Sequence, residues 1–314
     1  MGQQHTFADA VHATKRRTTR RAHFLTEMDQ VIPWATLGGI VVPRYPTAGR
    51  GRHPLPLGTM LRSDFHQQWF NLSDPQAEDM LYDSEARRRF ARIDPLQDTV
   101  PDETTICKFR HLLERHALKA QMFDAVKPLL AERKPLLKAG TIVDATITGA
   151  PSVTKELPQS RDPEMRQTRK GNQWYFGIKV HIGTDCRGVI HSMTTTDAAT
   201  AHITQLPNLL HGAETTLYGD KAYFKAEAQP QWKLSGGRYR VRKKGKRTPG
   251  IDAINRSRAR VRAMVEHPFQ VMKRGWDFTK VRYRGLAKIT VRAFALGALT
   301  TLYRLRYQLA IAGT

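Results

Sequence analysis

Thr141–Thr148 reads TIVDATIT, a run of β-branched side chains interrupted by a single carboxylate, Asp144. This is strand composition, and it marks where the period of the chain changes. After it, Tyr175–Gly183 (YFGIKVHIG) and Gly188–Thr196 (GVIHSMTTT) read as two further strands, joined by a turn at Asp185–Gly188. Ala201–Gly212 reads as a short helix interrupted at Pro207, and Thr215–Phe224 (TTLYGDKAYF) as a strand ending at Asp220. Arg238–Lys244 (RYRVRKK) is a fifth strand and Ile251–Glu266 a helix, with helical segments to the end, including Leu286–Leu309. Strands that first follow one another and then alternate with helices predict an α/β fold with a mixed sheet.

Upstream of Gly140 the pattern is helical. Met60–Phe70 gives one helix. Ser73 is a natural N-cap, with Pro75 in the first turn, for a helix over Ser73–Ala91. Pro101–His116 opens another, capped by Asp102, with Ile106, Phe109, Leu112 and Leu113 on one face. A fourth covers Ala120–Lys134. Residues 51–139 therefore read as a small all-helical domain. Its helix pairs suit a helix-turn-helix DNA reader, and simple packing gives the same periodicity. Residues 1–50 read as an irregular arm, with a basic run at Lys15–Arg21 and loop-forming Pro33, Pro43, Pro46, Gly49 and Gly51. Residues 140–308 form the α/β domain.

Charge is unevenly distributed. The 314 residues carry 51 Lys and Arg against 28 Asp and Glu, a formal +23. Residues 1–140 hold a net +5 and residues 141–314 a net +18. An excess of this kind suits a polyanion, most simply nucleic acid. Arg238–Arg262 alone holds eleven Lys or Arg and one acid, Asp252, with Trp232, Tyr239 and later Trp276 interleaved. That reads as a phosphate-tracking surface, and Lys243, Lys244 and Arg258 belong to it. Cys107 and Cys186 are the only cysteines and sit in no ligand spacing, which fits a reducing compartment. The N-terminus shows no apolar leader, and Ala293–Leu302, the longest apolar stretch, is half the length needed to cross a bilayer.

Three acids stand out. Asp144 lies in an apolar strand, where a carboxylate is costly unless it is paired or binds metal. Asp220 ends another strand, at the end where α/β folds place ligands. Glu266 is the one acid between Ile254 and Trp276, inside a field of Arg and Lys. Singly, Asp144 suits a satisfied core acid, Asp220 a turn and Glu266 a surface pair with Arg262. Together they suit a clamp for two divalent cations, the arrangement that phosphoryl transfer uses, and oxygen ligands suit Mg²⁺. On a regular helix Arg262, Glu266 and Lys273 fall within roughly 40° of one another, so one face would carry a metal ligand and two phosphate contacts. Pro268 lies between the last two, where a proline bends or ends a helix.

TIVDATITGAP, RDPEMRQTRKGNQWYFGIKVHIG, LLHG, YGDKAYF and VEHPFQVMKRGWDFTKVRYRGLAK resemble the DDE transposases of bacterial insertion sequences, in the insertion-sequence-5 group. The helical segments upstream resemble the same group, so the likeness covers nearly the whole chain. It implies an RNase H-like catalytic core with Asp144, Asp220 and Glu266 as the DDE triad. It further implies two Mg²⁺ ions with Mn²⁺ able to substitute, double-stranded DNA as element end and target, and a homodimer on DNA. A cytoplasmic, nucleoid-associated bacterial protein with no membrane partner follows from the same resemblance. The wider set carries Tyr-x2-Arg-x3-Glu-x6-Lys. Arg262, Glu266 and Lys273 match it, and Ala259 stands at the Tyr position. Where relatives read Asn-x-His-Asp, this chain has Thr200, Ala201, His202 and Ile203. The expected function is a transposase that binds terminal inverted repeats and catalyses strand cleavage and transfer. The alternatives are an inactive DNA-binding remnant acting as a repressor, and a nuclease of the same fold that does not transpose.

Overall fold

The computed structural model describes residues 18–47, 49, 53–131, 140–150, 162–212, 214–224, 238–241 and 249–310. Lys15–Arg17, Trp232, Lys243 and Lys244 lie outside the described residues. The chain divides into two units, Met1–Leu118 with Leu305–Thr314, and Lys119–Arg304.

In the first unit, the expected irregular arm is helical from Arg20 onward. Helices α1 (Arg20–Val31) and α2 (Trp34–Val41) occupy it. The Thr19 hydroxyl accepts from the Ala22 amide and caps α1, and Leu25, Met28 and Val31 bury one face. The prolines that suggested a loop sit at helix boundaries, Pro33 as the N-cap of α2 and Pro43 in the 3₁₀ turn that follows. Helices α3 (Leu57–Phe70), α4 (Asp74–Asp83), α5 (Glu85–Ala91) and α6 (Glu103–Arg115) complete this part. Ser73 caps α4 through a reciprocal capping box with Gln76. The single helix expected over Ser73–Ala91 is broken at Ser84, whose backbone is extended and which becomes the next N-cap. Asp102 caps α6 by accepting from the Thr105 amide at 2.7 Å.

Helix α3 is buried on all sides, polar residues included. Trp34, Phe65, Trp69 and Phe90 pack ring against ring at 5.6–6.2 Å. The Arg62 guanidinium stacks 3.9 Å over the Trp34 ring and donates to Asp29 at 3.0 Å. Arg110 likewise donates to Asp74 at 2.6 Å, and both side chains are largely buried. Burial pushes the Asp74 carboxyl up, and the hydrogen bonds from Arg110 and Gln67 pull it below its ordinary value.

The second unit starts with α7 (Leu118–Ala131), the fourth expected helix. It is followed by strands β1 (Thr141–Gly149), β2 (Arg166–Lys170), β3 (Gln173–Thr184) and β4 (Ile190–Asp197). Helix α8 (Leu206–Leu209), β5 (Thr216–Tyr218) and β6 (Arg238–Tyr239) come next. Helices α9 (Pro249–Arg262), α10 (Glu266–Gln270) and α11 (Leu286–Ala310) end it, α11 running into the segment grouped with the first unit. The sheet order is β2-β3-β1-β5-β6, with β4 also paired to β3. β1 is antiparallel to β3 and parallel to β5, so the sheet is mixed. β2 is absent from the sequence reading: its five residues are mostly exposed and polar, and carry no apolar alternation. β5 and β6 are shorter than expected, at three and two residues.

Val143, Leu217, Tyr223, Tyr239 and Val241 pack with Leu206 and Leu209 on one face of the sheet. Ile142 and Thr148 of β1 point to the other face. Gly177, at φ +155, pairs with Gly149, and an added Cβ there would lie 2.3 Å from the Thr148 carbonyl oxygen. α11 is long and apolar enough on length and composition to cross a bilayer, yet 61% of its apolar window is buried inside the protein. Phe294 on it meets Phe123 of α7 at 5.5 Å.

Breaking a buried ion pair by removing one partner costs roughly 3–5 kcal/mol. Arg110→Leu, which strands Asp74, is expected to lower the unfolding free energy by about 3 kcal/mol in urea titration. Ser73→Ala, which removes only a cap, is expected to cost about 1 kcal/mol.

Candidate active site

β1 is the central strand, and β5 accompanies it only at Thr141 and Ile142. Ile142 is in register with Tyr218, so Asp144 inside β1 and Asp220 just past the end of β5, each two residues further on, lie at the same level. Asp220 caps the 3₁₀ turn Lys221–Tyr223, its Oδ1 accepting from the Ala222 amide at 2.8 Å. Where β5 stops, one edge of β1 is open. The chain from Arg262 to Val281 covers that edge: Lys273 Nζ donates to the Ile147 carbonyl at 2.7 Å, and the Val281 amide donates to the Gly149 carbonyl at 2.9 Å.

This covering segment is not one regular helix. After α9 it tightens to 3₁₀ at Ala263–Val265, turns once as α10, and widens to a π turn at Val271–Gly275. Pro268 has no amide hydrogen to donate four residues back, so the ladder is interrupted there and the turns on either side change pitch. The shared face expected for Arg262, Glu266 and Lys273 is therefore only half present. Arg262 and Glu266 remain together, with Nη2 3.0 Å from Oε1. Lys273 is turned onto the backbone of β1, and burial, then the nearby charge of Lys170, lowers its pKa.

The centre of the site is the Arg262 guanidinium. Nη1 donates to Asp144 Oδ2 at 2.8 Å while Nη2 holds Glu266. The Asp144 side chain is 13% exposed and that of Glu266 62% exposed. The first contact therefore carries most of the electrostatic energy, because an exposed pair is worth little. The Asp144 carboxyl is raised to about 6: burial is the largest cause, Arg262 and the Ala145 amide pull the other way, and the charges of Asp220 and Glu266 add to the rise. All three acids thus lie within electrostatic reach of one another around one cation.

Two buried polar groups near this centre, Tyr223 and His181, escaped the sequence reading, and His202 of the altered motif lies between them. Tyr223 is fully buried, and its pKa is raised, first by burial and then by the charges of Asp144 and Asp220. Its ring lies 5.5 Å from His202, which lies 5.6 Å from His181. Tyr223 Oη and the Nδ1 atoms of both histidines have no hydrogen-bond partner among the described residues. The legible signal was spacing: a capping Asp220 fixes the direction of a side chain three residues later. Thr200 Oγ1 donates to Asp197 Oδ2 at 2.7 Å, and Ile203 packs against the apolar cluster, so the altered motif is filled by a turn and by packing.

The basic candidates fare unequally. Arg258 donates to the Val241 carbonyl at 2.6 Å and so ties α9 to the end of β6. Tyr239 and Trp276, expected in a phosphate-tracking surface, are core residues, 6% and 4% exposed. Tyr239 donates to the Tyr223 carbonyl and Trp276 packs on Tyr303. Ala259, half-buried on α9, offers no polar group at the position where a tyrosine was expected.

As a donor set, three oxygen-bearing carboxylates suit a hard divalent cation. Among the described residues no three His, Cys, Asp or Glu side chains converge closely enough to hold one ion in this arrangement. The positive charge between Asp144 and Glu266 belongs to Arg262. The carboxylates suit such an ion in kind, and in this arrangement Arg262 stands between two of them.

Two family descriptions match the chain. A Transposase domain (DUF772) matches residues 12–112, and a Transposase DDE domain matches residues 135–302. No solved structure matches it.

The Asp144 carboxyl has a higher pKa folded than unfolded, so the folded state holds a proton that the unfolded chain has released between about pH 4 and about pH 6. Its contribution to stability is complete below that window and is lost as pH rises through it. Thermal melts without divalent metal are expected to show wild type falling relative to Asp144→Asn as pH rises from about 4 to about 7. Parallel curves would contradict this origin of the shift.

Proposed function

From the premise that this chain belongs to the DDE transposases, we propose that it binds the terminal inverted repeats of an insertion sequence and catalyses strand cleavage and strand transfer. The proposed catalytic residues are Asp144, Asp220 and Glu266. The observation that carries the reading is the coupling of these three acids around Arg262 at the open edge of β1. The sheet supports an RNase H-like core, because its central strand is antiparallel to one neighbour and parallel to the other, with the first acid in its middle.

Asp144, Asp220 and Glu266 would hold the divalent metal, Mg²⁺ or Mn²⁺, which when bound activates an attacking oxygen and stabilises a leaving one. Arg262 does two things in this reading. In the free protein it neutralises Asp144 and Glu266, and with DNA present it turns to the scissile phosphate. A guanidinium suits both tasks, because its planar fork matches carboxylate and phosphate oxygens alike. Lys273 holds the covering segment on β1 and so keeps Glu266 opposite Asp144.

In cleavage the oxygen of water bonds to phosphorus as the P–O3′ bond breaks, leaving a 3′-OH and a 5′-phosphate. In transfer that 3′-OH attacks a target phosphodiester, and its P–O3′ bond breaks in turn. Two ends must be processed together, so the proposed working form on DNA is a homodimer. The second reading, a DNA-binding remnant without chemistry, draws on the occupation of the carboxylates by Arg262 and on the missing tyrosine at Ala259.

With Mg²⁺ and a duplex carrying the element end, wild type is expected to give cut and joined products, while Asp144→Ala and Glu266→Ala lose at least 10³-fold in rate. Binding without any metal-dependent cleavage by wild type would favour the remnant. Arg262→Gln is expected to bind Mg²⁺ more tightly in the absence of DNA, read by calorimetry, and still to cleave poorly.

A further inference from the structure

Past Gly177 the sheet narrows to two strands. β1 ends at Gly149, opposite Gly177, and β4 ends at Asp197, opposite Ile178. Only β2 and the start of β3 continue, paired from Arg166↔Gly177 to Lys170↔Gln173, with the turn at Gly171 and Asn172. Gly171 has φ +63, the left-handed conformation that a tight hairpin turn requires. The result is a two-stranded projection from the catalytic sheet.

Its charge is of one sign. Between Met165 and Gly183 there is no Asp or Glu, and Arg166, Arg169 and Lys170 lie on the hairpin. Trp174 is 63% exposed. Desolvating an indole is favourable, so an exposed one in a basic, acid-free setting is placed to meet something flat and anionic. Arg169 pairs in register with Trp174, and its guanidinium is oriented by the Gly171 carbonyl at 3.1 Å.

The hairpin is aligned with the proposed site. Strand alternation puts Trp174, Phe176, Ile178 and Ile182 on one face of β3, and Ile182 is the partner of Asp144. Trp174 and Arg169 therefore share the sheet face of Asp144. Lys170 lies on the other face, close enough for its charge to bear on both Lys273 and His202. Eight residues of strand separate Trp174 from the level of Asp144, a path of at most roughly 26 Å at 3.3 Å per residue. That is at most about eight base pairs of DNA at 3.4 Å each.

We propose that the β2–β3 hairpin, through Arg166, Arg169, Lys170 and Trp174, is a DNA-binding element that grips the duplex within about eight base pairs of the scissile phosphate. The basic side chains take backbone phosphates, and the Trp174 ring packs against sugar or an exposed base. This inference rests on the transposase reading for where the scissile phosphate lies. DNA is the occupant because the hairpin carries three cations and no acid and exposes an indole beside its turn.

The test uses the full chain and a fluorescein-labelled 30-base-pair duplex carrying the element end, with anisotropy read across a NaCl series. The triple substitution Arg166→Gln, Arg169→Gln, Lys170→Gln is expected to make the slope of log K against log salt shallower by about two to three. Trp174→Ala is expected to weaken binding about tenfold, with Trp174→Phe restoring most of it. Hydroxyl-radical footprinting should show protection lost within about eight base pairs of the cut. Variants that keep the wild-type melting temperature and the wild-type slope would overturn the proposal, whether or not Asp144→Ala abolishes cleavage. A change in oligomeric mass with unchanged DNA affinity would overturn it also, by making the hairpin a contact between copies. Loss of cleavage in Asp144→Ala together with an unaltered hairpin footprint would leave the transposase reading standing and this one refuted.

Discussion

A carboxylate in the middle of a central strand is the constraint on which the catalytic unit depends. Asp144 is largely buried, and burial raises its pKa to about 6, so at neutral pH its charge has to be met. Arg262 meets it at 2.8 Å from a helix 118 positions later in sequence. That one contact draws α9 across the sheet and sets Glu266, one turn further on, opposite the strand. The shortness of β5 belongs to the same arrangement. By leaving β1 after Ile142, β5 opens the edge on which the Arg262–Val281 segment docks, and it delivers Asp220 to the level of Asp144.

Pro268 shapes this further. A regular helix through Arg262–Lys273 would place Arg262, Glu266 and Lys273 on one face and leave the edge of β1 unsatisfied. With the proline's missing amide, the segment passes from 3₁₀ to π pitch, and Lys273 reaches the Ile147 carbonyl instead. Where a phosphate contact was expected of Lys273, the structure has an internal one. The same exchange recurs nearby. Arg258 holds the Val241 carbonyl and Tyr239 the Tyr223 carbonyl, so part of the basic and aromatic density around the site is internal bracing. The cationic surface that remains available includes the hairpin ahead of β3, which composition alone did not single out.

The sequence determined a good deal by itself. β-branched runs and their spacing gave the main strands, because side-chain alternation is a local property. Ser73 and Asp102 marked helix starts, because capping is settled within four residues. The three acids were legible because a charge in an apolar strand, or alone in a basic helix, is a local anomaly. Local signals failed where the cause was distant. The arm over Arg20–Arg44 read as irregular because its prolines are visible in sequence, while the core that holds its helices together is not. β2 was missed because its polar residues pair with β3 without burying a face.

Only the tertiary structure decided how the acids are balanced and what the basic residues do. Whether an arginine faces phosphate or a carbonyl depends on which backbone edge is left open beside it, and pairing over more than a hundred residues fixes that edge. Tyr223, His202 and His181 meet beneath the site for the same reason: they come from a turn, a loop and a strand that share no local pattern. The chain wrote the carboxylates plainly, and the sheet's register chose their partners.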